Sequence, residues 1–581
     1  MSKQRAAVFV FYDKDGIVDR YKTYMLKEIQ KVCSKLVIVC NGELDDEGRL
    51  LFSGISNDII VRENEGFDAW GFKTGLDHIG WEELDQYDEL VLMNDTVFGP
   101  FYPFQTIFEE MEDRGLDFWG ITKHGQIGDP YGLTMDGIFP EHIQSYFFAI
   151  NKRMFTSTGF IDYWDDLPEF KSWKDAVSLH EVQFTRHFTE LGFSWDVYVD
   201  TDEGLKGVTG TCLLELMTYE LLKNNKLPVI KRKNFATEYD VVLGTTVGDS
   251  TRKAFEYIHN NTGYDVDLIW ENILRTTSLR VIKDNLDLVY ALPDDYVLSR
   301  LVDQSGQKSP GDVKVALCML ITYEDQVEFC ADYANSILPS ADIYVTTLTE
   351  DMKEKLQRRF TDIKCNKLEV IVLPENHKGR DVSALWVALK PYIREYDYIC
   401  FTHNKKSTQD KPYTIGRGFA QRCFGNLLAS RAYVENVVDL FEKNPRLGML
   451  FPPPVTHGPY KSNISHHWGM NYKNTVNLGK KLGINVPIDD KDPVFPAGGM
   501  FWFRTKALKR FIDEDWKYED FASEPMPFDG TISHAFERLY CYAAQSEGYY
   551  SGWVMTVENA STEITSLSYL LMQWYLHDEL G

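Results

Sequence analysis

Short apolar runs alternate with stretches of helical periodicity from the first residues of the chain. Ala6 to Tyr12, "AAVFVFY", is a continuous apolar run of the kind that forms a buried strand. Val18 to Cys33 carries apolar residues at helical spacing, and "LVIVC", Leu36 to Cys40, predicts a second strand ending at Asn41-Gly42. "NDIIVRENEG" predicts a third strand running into a loop, "FDAWGFKTGLDHI" a helix, and "YDELVLMND" a fourth strand. Short apolar strands alternating with helices imply βαβ units and a mostly parallel sheet.

The second half repeats this order. "VKVALCMLITY", "ADIYVTTLT", "LEVIVLPENHKGRD" and "YDYICFTHN" read as four strands, with helical patterns in "EDQVEFCADYANSIL" and "VSALWVALKPYI". The loop after the third strand is written twice, as "RENEGFDAWGFKTGL" and as "PENHKGRDVSALWVAL". Asn94-Asp95 then corresponds to His403-Asn404, "SYFFAINKRMF" to "GMFWFRTKALKRF", and "HEVQFTRHFTELGF" to "FERLYCYAAQSEGY", which aligns Glu181 with Glu537. Matching loops in matching order predict two copies of one α/β domain. Between them, residues 208–311 are rich in Leu, Ile, Trp and Tyr at helical spacing, which predicts a packed, mostly helical connector rather than a flexible linker. "QSGQKSPGD", Gln304 to Asp312, is the clearest boundary signal.

Composition narrows the function. Of 581 residues, 44% are hydrophobic and 14% aromatic, enough for real cores. A formal charge of −26 argues against a general nucleic-acid binder and against adsorption on an anionic membrane by charge alone. Nine cysteines without a C-x-x-C pair read as reduced, buried thiols of a cytosolic protein. The N-terminal apolar run meets Asp13 after seven residues, which suits a first strand better than a signal peptide. No window reaches the ~18 apolar residues of a membrane helix.

In open α/β sheets, ligands bind beyond the carboxyl ends of the strands. The duplicated loop lies at such an end, with Asn64, Gly66 and Asp68 in one copy and Asn376, Gly379, Arg380 and Asp381 in the other. The glycines allow close backbone approach to a ligand, and the aspartates offer carboxylates to nucleoside or sugar hydroxyls. An aspartate there also suits a helix N-cap. Neither copy carries G-x-G-x-x-G or G-x-x-x-x-G-K-[ST], so dinucleotide and P-loop readings lose their usual support.

A strand, an Asn-x-Gly loop with its helix, and a strand ending in an acidic or polar pair resemble the nucleotide-sugar half of family-two GT-A glycosyltransferases. More closely, "YDYICFTHNKKS", "FPAGGMFWFRTKAL" and "FDGTISHAFERL" resemble the rhamnan synthesis protein F family. "FYDKDGIVDRY", "YDELVLMNDTVFGPF" and "YELLKNNKLPVIKRKNF" resemble its N-terminal part, so that the likeness covers nearly the whole chain. It implies two tandem GT-A-like, Rossmann-type domains at 1–207 and 312–560, joined by the connector at 208–311 and followed by an amphipathic helix at 561–581. It implies a cytoplasmic rhamnosyltransferase of cell-wall polysaccharide synthesis, while the charge speaks against a nucleic-acid partner; the basic stretch Lys223 to Lys233 is open to a solvated loop face or to peripheral contact with the inner face of the cell membrane, and the amphipathic tail to packing on the core, on a partner or on polysaccharide-export machinery. The donor is then dTDP-β-L-rhamnose, the acceptor a lipid-linked rhamnan, and the transfer inverting. Two domains suit two linkages, such as α-1,2 and α-1,3. One catalytic domain beside an acceptor-binding one, or a non-catalytic scaffold, are the alternatives.

In GT-A enzymes a metal held by Asp-x-Asp after the fourth strand usually steadies the leaving diphosphate. Asn94-Asp95 supplies one carboxylate, which leaves a Mg²⁺ or Mn²⁺ site on Asp95 open in the first copy. His403-Asn404-Lys405-Lys406 supplies none, and its lysines can neutralise a diphosphate without metal. An inverting transfer also needs a carboxylate base. Asp529 and Glu537 are the candidates in the second copy, Asp529 facing the strand ends or capping its helix. Glu181 and Asp175 are the candidates in the first, where Ser178-x-x-Glu181 also fits a capping box. Phe148, Gly498, Gly499 and Trp502 are the candidate acceptor residues, against a core role for the aromatics.

Overall fold

The computed structural model describes residues 3–200, 213–244, 250–299, 313–405, 414–456 and 458–578. Its contacts divide the chain into two units, Met1–Ile273 and Leu274–Gly581. In the first, Arg5–Phe11 is buried at every position and lies parallel between Lys35–Asn41 and Glu89–Asn94. Burial on both faces explains why the sequence there is a continuous apolar run rather than an alternating one. Asp58–Arg62 extends the sheet parallel to Lys35–Asn41 at one edge. On the other side Phe147–Asn151 runs antiparallel to Glu89–Asn94, followed by Phe118–Gly120 and Trp195–Val197.

The second unit uses the same plan. Val315–Leu320 lies parallel between Asp342–Thr347 and Tyr398–His403, and Lys367–Val372 adds the parallel edge. Phe501–Arg504 runs antiparallel to Tyr398–His403, then come Leu447–Phe451 and Tyr550–Thr556. All seven strands of the first sheet thus have counterparts in the second, in the same spatial order and with the same directions. The duplication predicted from loops and apolar runs is present in the topology.

The stretch expected to be a connector is divided between the units. Helices such as Ser250–Asn261 and Asp267–Thr276 follow the first sheet, whereas Leu279–Asn285 and the strand Val289–Leu292 belong to the second unit. That strand pairs in parallel with Tyr550–Thr556 and gives the second sheet its eighth strand. The boundary signal at 304–312 lies outside the described residues. The C-terminal helix is Val557–Asp578, starting ahead of the expected 561. Among the described residues no helix is long and apolar enough to cross a membrane.

Candidate functional site

The duplicated loop turns the backbone of each copy from strand to helix through two successive left-handed residues. Gly66 and Phe67 have φ of 69° and 56°, and Gly379 and Arg380 have 85° and 51°. A non-glycine residue in this region costs about 1 kcal/mol or more, so a repeated pair signals a required geometry. Each pair delivers an aspartate into the first turn of the following helix, Asp68 in Phe67–Ile79 and Asp381 in Arg380–Ser383. Packing against neighbouring rings gives the glycines a second reason beside the close ligand approach expected from the sequence. A Cβ on Gly66 would fall 2.0 Å from the Trp70 ring, and one on Gly379 2.5 Å from Phe521. Positive φ and a packed ring explain both glycines. Asn64 and Asn376 are exposed in the loops, and Arg380 forms a bidentate pair with Glu524 at 2.7 and 2.9 Å.

In the second unit three further elements converge on Asp381. His403, at the end of Tyr398–His403, has its Nε2 3.9 Å from the Asp381 carboxylate and donates from the same nitrogen to the Gly498 carbonyl at 2.7 Å. The Gly498 N–H donates to Glu537 Oε1 at 2.7 Å, and Arg538 donates to the other oxygen of Glu537 at 2.9 Å. The Gly498-Gly499 loop, left-handed at both residues, is therefore held through its N–H by one group and through its C=O by another. A Cβ on Gly499 would lie 2.9 Å from Asp381, so glycine there keeps the carboxylate in place. Asp529 does not cap the helix Ile532–Ser546, whose N-cap is Thr531. Its carboxylate instead accepts from Asn471 Nδ2 at 2.5 Å and from the Met470 N–H at 3.0 Å. Burial alone would raise Asp529, but these hydrogen bonds outweigh it and hold the group below the usual carboxylate range.

The first unit repeats the arrangement with different residues. Asn94 donates to Asp68 at 2.7 Å, and the Ser145 N–H, just before the antiparallel strand, donates to Glu181 Oε1 at 3.3 Å. Glu181 and Glu537 thus perform the same act in the two copies. Burial pushes the Asp68 carboxyl up to about 7; nearby Asp95 and Glu181 add to this, against the Asn94 hydrogen bond. The family model described as Rhamnan synthesis protein F matches residues 36–549. The chain belongs to the Rhamnan synthesis protein F family.

Single relatives cover much less. An "Uncharacterized protein y4gN" of Sinorhizobium fredii is 22% identical over 32% of this chain and 46% of its own length. The "Uncharacterized protein WxcX" of Xanthomonas campestris is 27% identical over 36% of this chain and 28% of its own length. The chain spans less than half the length of these curated relatives. Among solved structures, the apo-form glycosyltransferase GlyE of Streptococcus pneumoniae is 12% identical over 68% of this chain and 84% of that chain, with a TM-score of 0.23. Glucosyl-3-phosphoglycerate synthase of Mycobacterium tuberculosis, solved with Mn²⁺, UDP-glucose and phosphoglyceric acid, is 14% identical over 45% of this chain and 78% of that chain, with a TM-score of 0.21. Likenesses at such scores carry no weight for fold or function.

Four expected roles change in this rhamnan synthesis protein F chain. Asp95 does not offer a metal site. Its buried carboxylate pairs with Lys22 at 3.7 Å and Arg232 at 3.5 Å, so protein cations already occupy the place of a metal. Among the described residues no group of three or more His, Cys, Asp or Glu side chains could hold a metal ion. Asp175 is a capping residue: its Oδ2 accepts from the Lys171 and Ser172 N–H groups at 2.9 Å, and the capping box is Ser172–Asp175, not Ser178–Glu181. Ser178 and Glu181 lie instead in a π-helical turn, Val177–Glu181. Phe148 and Trp502 are core. Phe148 packs 4.7 Å from Phe184, and Trp502, fully buried, donates to the Leu427 carbonyl at 2.9 Å, so neither ring presents a face to a sugar.

Other groups were missed. Tyr12 and Tyr323 follow the first strand of each sheet, one position out of register with each other, and are 46% and 41% exposed. Asn404 accepts from the Thr322 N–H at 3.2 Å, while its own Nδ2, buried, has no hydrogen-bond partner among the described residues. Lys405 sits with its ammonium 4.3 Å above the Phe419 ring. Lys406 lies outside the described residues.

Proposed function

We propose that this chain is a glycosyltransferase of polysaccharide synthesis that transfers L-rhamnose from dTDP-β-L-rhamnose to a lipid-linked rhamnan acceptor with inversion. The observation that carries this reading is the doubled construction: an aspartate after a left-handed pair, a polar residue ending the fourth strand, and a glutamate holding the N–H of the loop before the antiparallel strand. Asp68 and Asp381 would then meet hydroxyls of the donor, and Tyr12 and Tyr323 would offer rings to its base.

In the second unit an acceptor hydroxyl oxygen attacks C1 of rhamnose on the face opposite the diphosphate. The C1–O bond to phosphate breaks, and the hydroxyl proton passes to Asp529, which its hydrogen bonds keep ionised at neutral pH. Lys405, near the strand end, meets the negative charge of the leaving dTDP. Glu537 is a positioning residue through its grip on Gly498. Capping by Asp175 and the buried pairing of Asp95 favour a second reading, in which only the second unit transfers and the first binds a substrate.

Incubating the full chain with dTDP-β-L-rhamnose and a rhamnosylated lipid-like acceptor tests this. The expected product is an added α-linked rhamnose, read from the anomeric carbon–proton coupling. A β-linked product, or none with this donor, would overturn it.

A further inference from the structure

Two cavities of about 370 and 290 Å³ lie side by side in the second unit, between the helices Thr414–Leu427 and Val557–Asp578. Arg422, Asn559 and Thr562 line both, so they form one groove. One end is walled by Phe419 and Tyr460, whose rings are 5.5 Å apart. The Phe419 ring stands where a Cβ on Gly498 would come within 2.6 Å, so this end of the groove shares a wall with the Gly498-Gly499 loop. We propose that the groove holds the acceptor glycan, as a neutral chain of pyranose rings. This rests on the reading of the second unit as a transferase.

Charge selects the ligand. The Arg422 side chain, nine-tenths buried, is neutralised by Glu563, while Glu558 and Asp294 add negative charge. Among the described lining residues Arg422 is the one cation, and Glu563 already pairs with it; Lys405, 4.3 Å above the Phe419 ring, is not part of the lining. What remains is amide, hydroxyl and ring surface, together with an Arg422 Nε that has no hydrogen-bond partner among the described residues. Pyranose rings suit these groups, with C–H faces against aromatic rings and hydroxyls toward amides and the guanidinium. Thr414 to Asn426 gives about 18 Å of helix along the groove, which fits a chain rather than a single sugar.

Gly418 supports the same conclusion. It lies within the helix and lines the groove, and a Cβ there would meet nothing within 4 Å. Glycine weakens a helix interior relative to residues such as leucine. Packing does not require it, but an open groove does.

The test uses the full chain and a tetrasaccharide of α-linked L-rhamnose, titrated without donor. Gly418→Leu fills the groove from one helix, and Thr562→Trp fills it from the other. The wild type is expected to bind the tetrasaccharide, and each variant to weaken that binding at least tenfold. Affinity for dTDP-rhamnose should stay within twofold, and the thermal midpoint should not fall in Gly418→Leu. Unchanged tetrasaccharide affinity in both variants, or none in the wild type, overturns the groove. Groove-dependent tetrasaccharide binding with no donor binding in the wild type would overturn the transferase reading and leave the groove standing.

Discussion

Replacing Trp502 with alanine is expected to destabilise the second unit by ~3–5 kcal/mol, the range for removing a large buried aromatic. The side chain is fully buried, and its loss also leaves the Leu427 carbonyl without its indole donor. The effect should be visible as hydrogen exchange of the Tyr398–His403 strand at urea concentrations where the wild type is protected. The fraction that remains folded should show an unchanged KM for the acceptor. Full stability with a raised acceptor KM would mean that the ring faces a sugar after all.

The second large effect is chemical. Asp529→Asn keeps the shape of the side chain and an oxygen to accept from Met470 or Asn471, but removes the proton acceptor. Transfer by the second unit is expected to fall by ~10²–10⁴-fold in kcat, with donor affinity unchanged. If both units transfer, product from the variant stops after one added rhamnose, because each unit's product is the other's acceptor. If only the second unit transfers, the variant is inactive on every acceptor. Normal polymerisation would remove Asp529 from the chemistry.

The parts of the fold that were legible in sequence are those where burial leaves a continuous signature. The central parallel strands Arg5–Phe11, Glu89–Asn94 and Val315–Leu320 are buried at every position and read as apolar runs, and the loop between the third strand and its helix repeats the glycine that opens its left-handed pair and the aspartate that follows it. Phe118–Gly120 and Trp195–Val197 are too short to show a period, and Val289–Leu292 looked like part of a helical region because its partner strand lies more than two hundred residues later. Asp68, Asp381, Glu181 and Glu537 were legible as matched positions, since alignment of the copies exposes them. Lys22 was not: it occupies a helix face like any surface lysine, and only the fold shows that it is buried against Asp19 and Asp95. Arg232, another partner of Asp95, lies still farther away in sequence. The true capping box was readable as Ser172-x-x-Asp175, but the neighbouring Ser178-x-x-Glu181 fits the same pattern. Spacing alone cannot tell a helix start from a π-turn within a helix.

The central claim is that the loop is written twice because the chain holds two donor sites. Calorimetric titration of the full chain with dTDP-rhamnose tests it most directly. The account predicts two equivalents bound per chain, falling to one in Asp68→Ala and to the other one in Asp381→Ala, with both variants folded. A wild-type stoichiometry of one that Asp68→Ala leaves untouched, or two equivalents retained at full affinity in both variants, would contradict it.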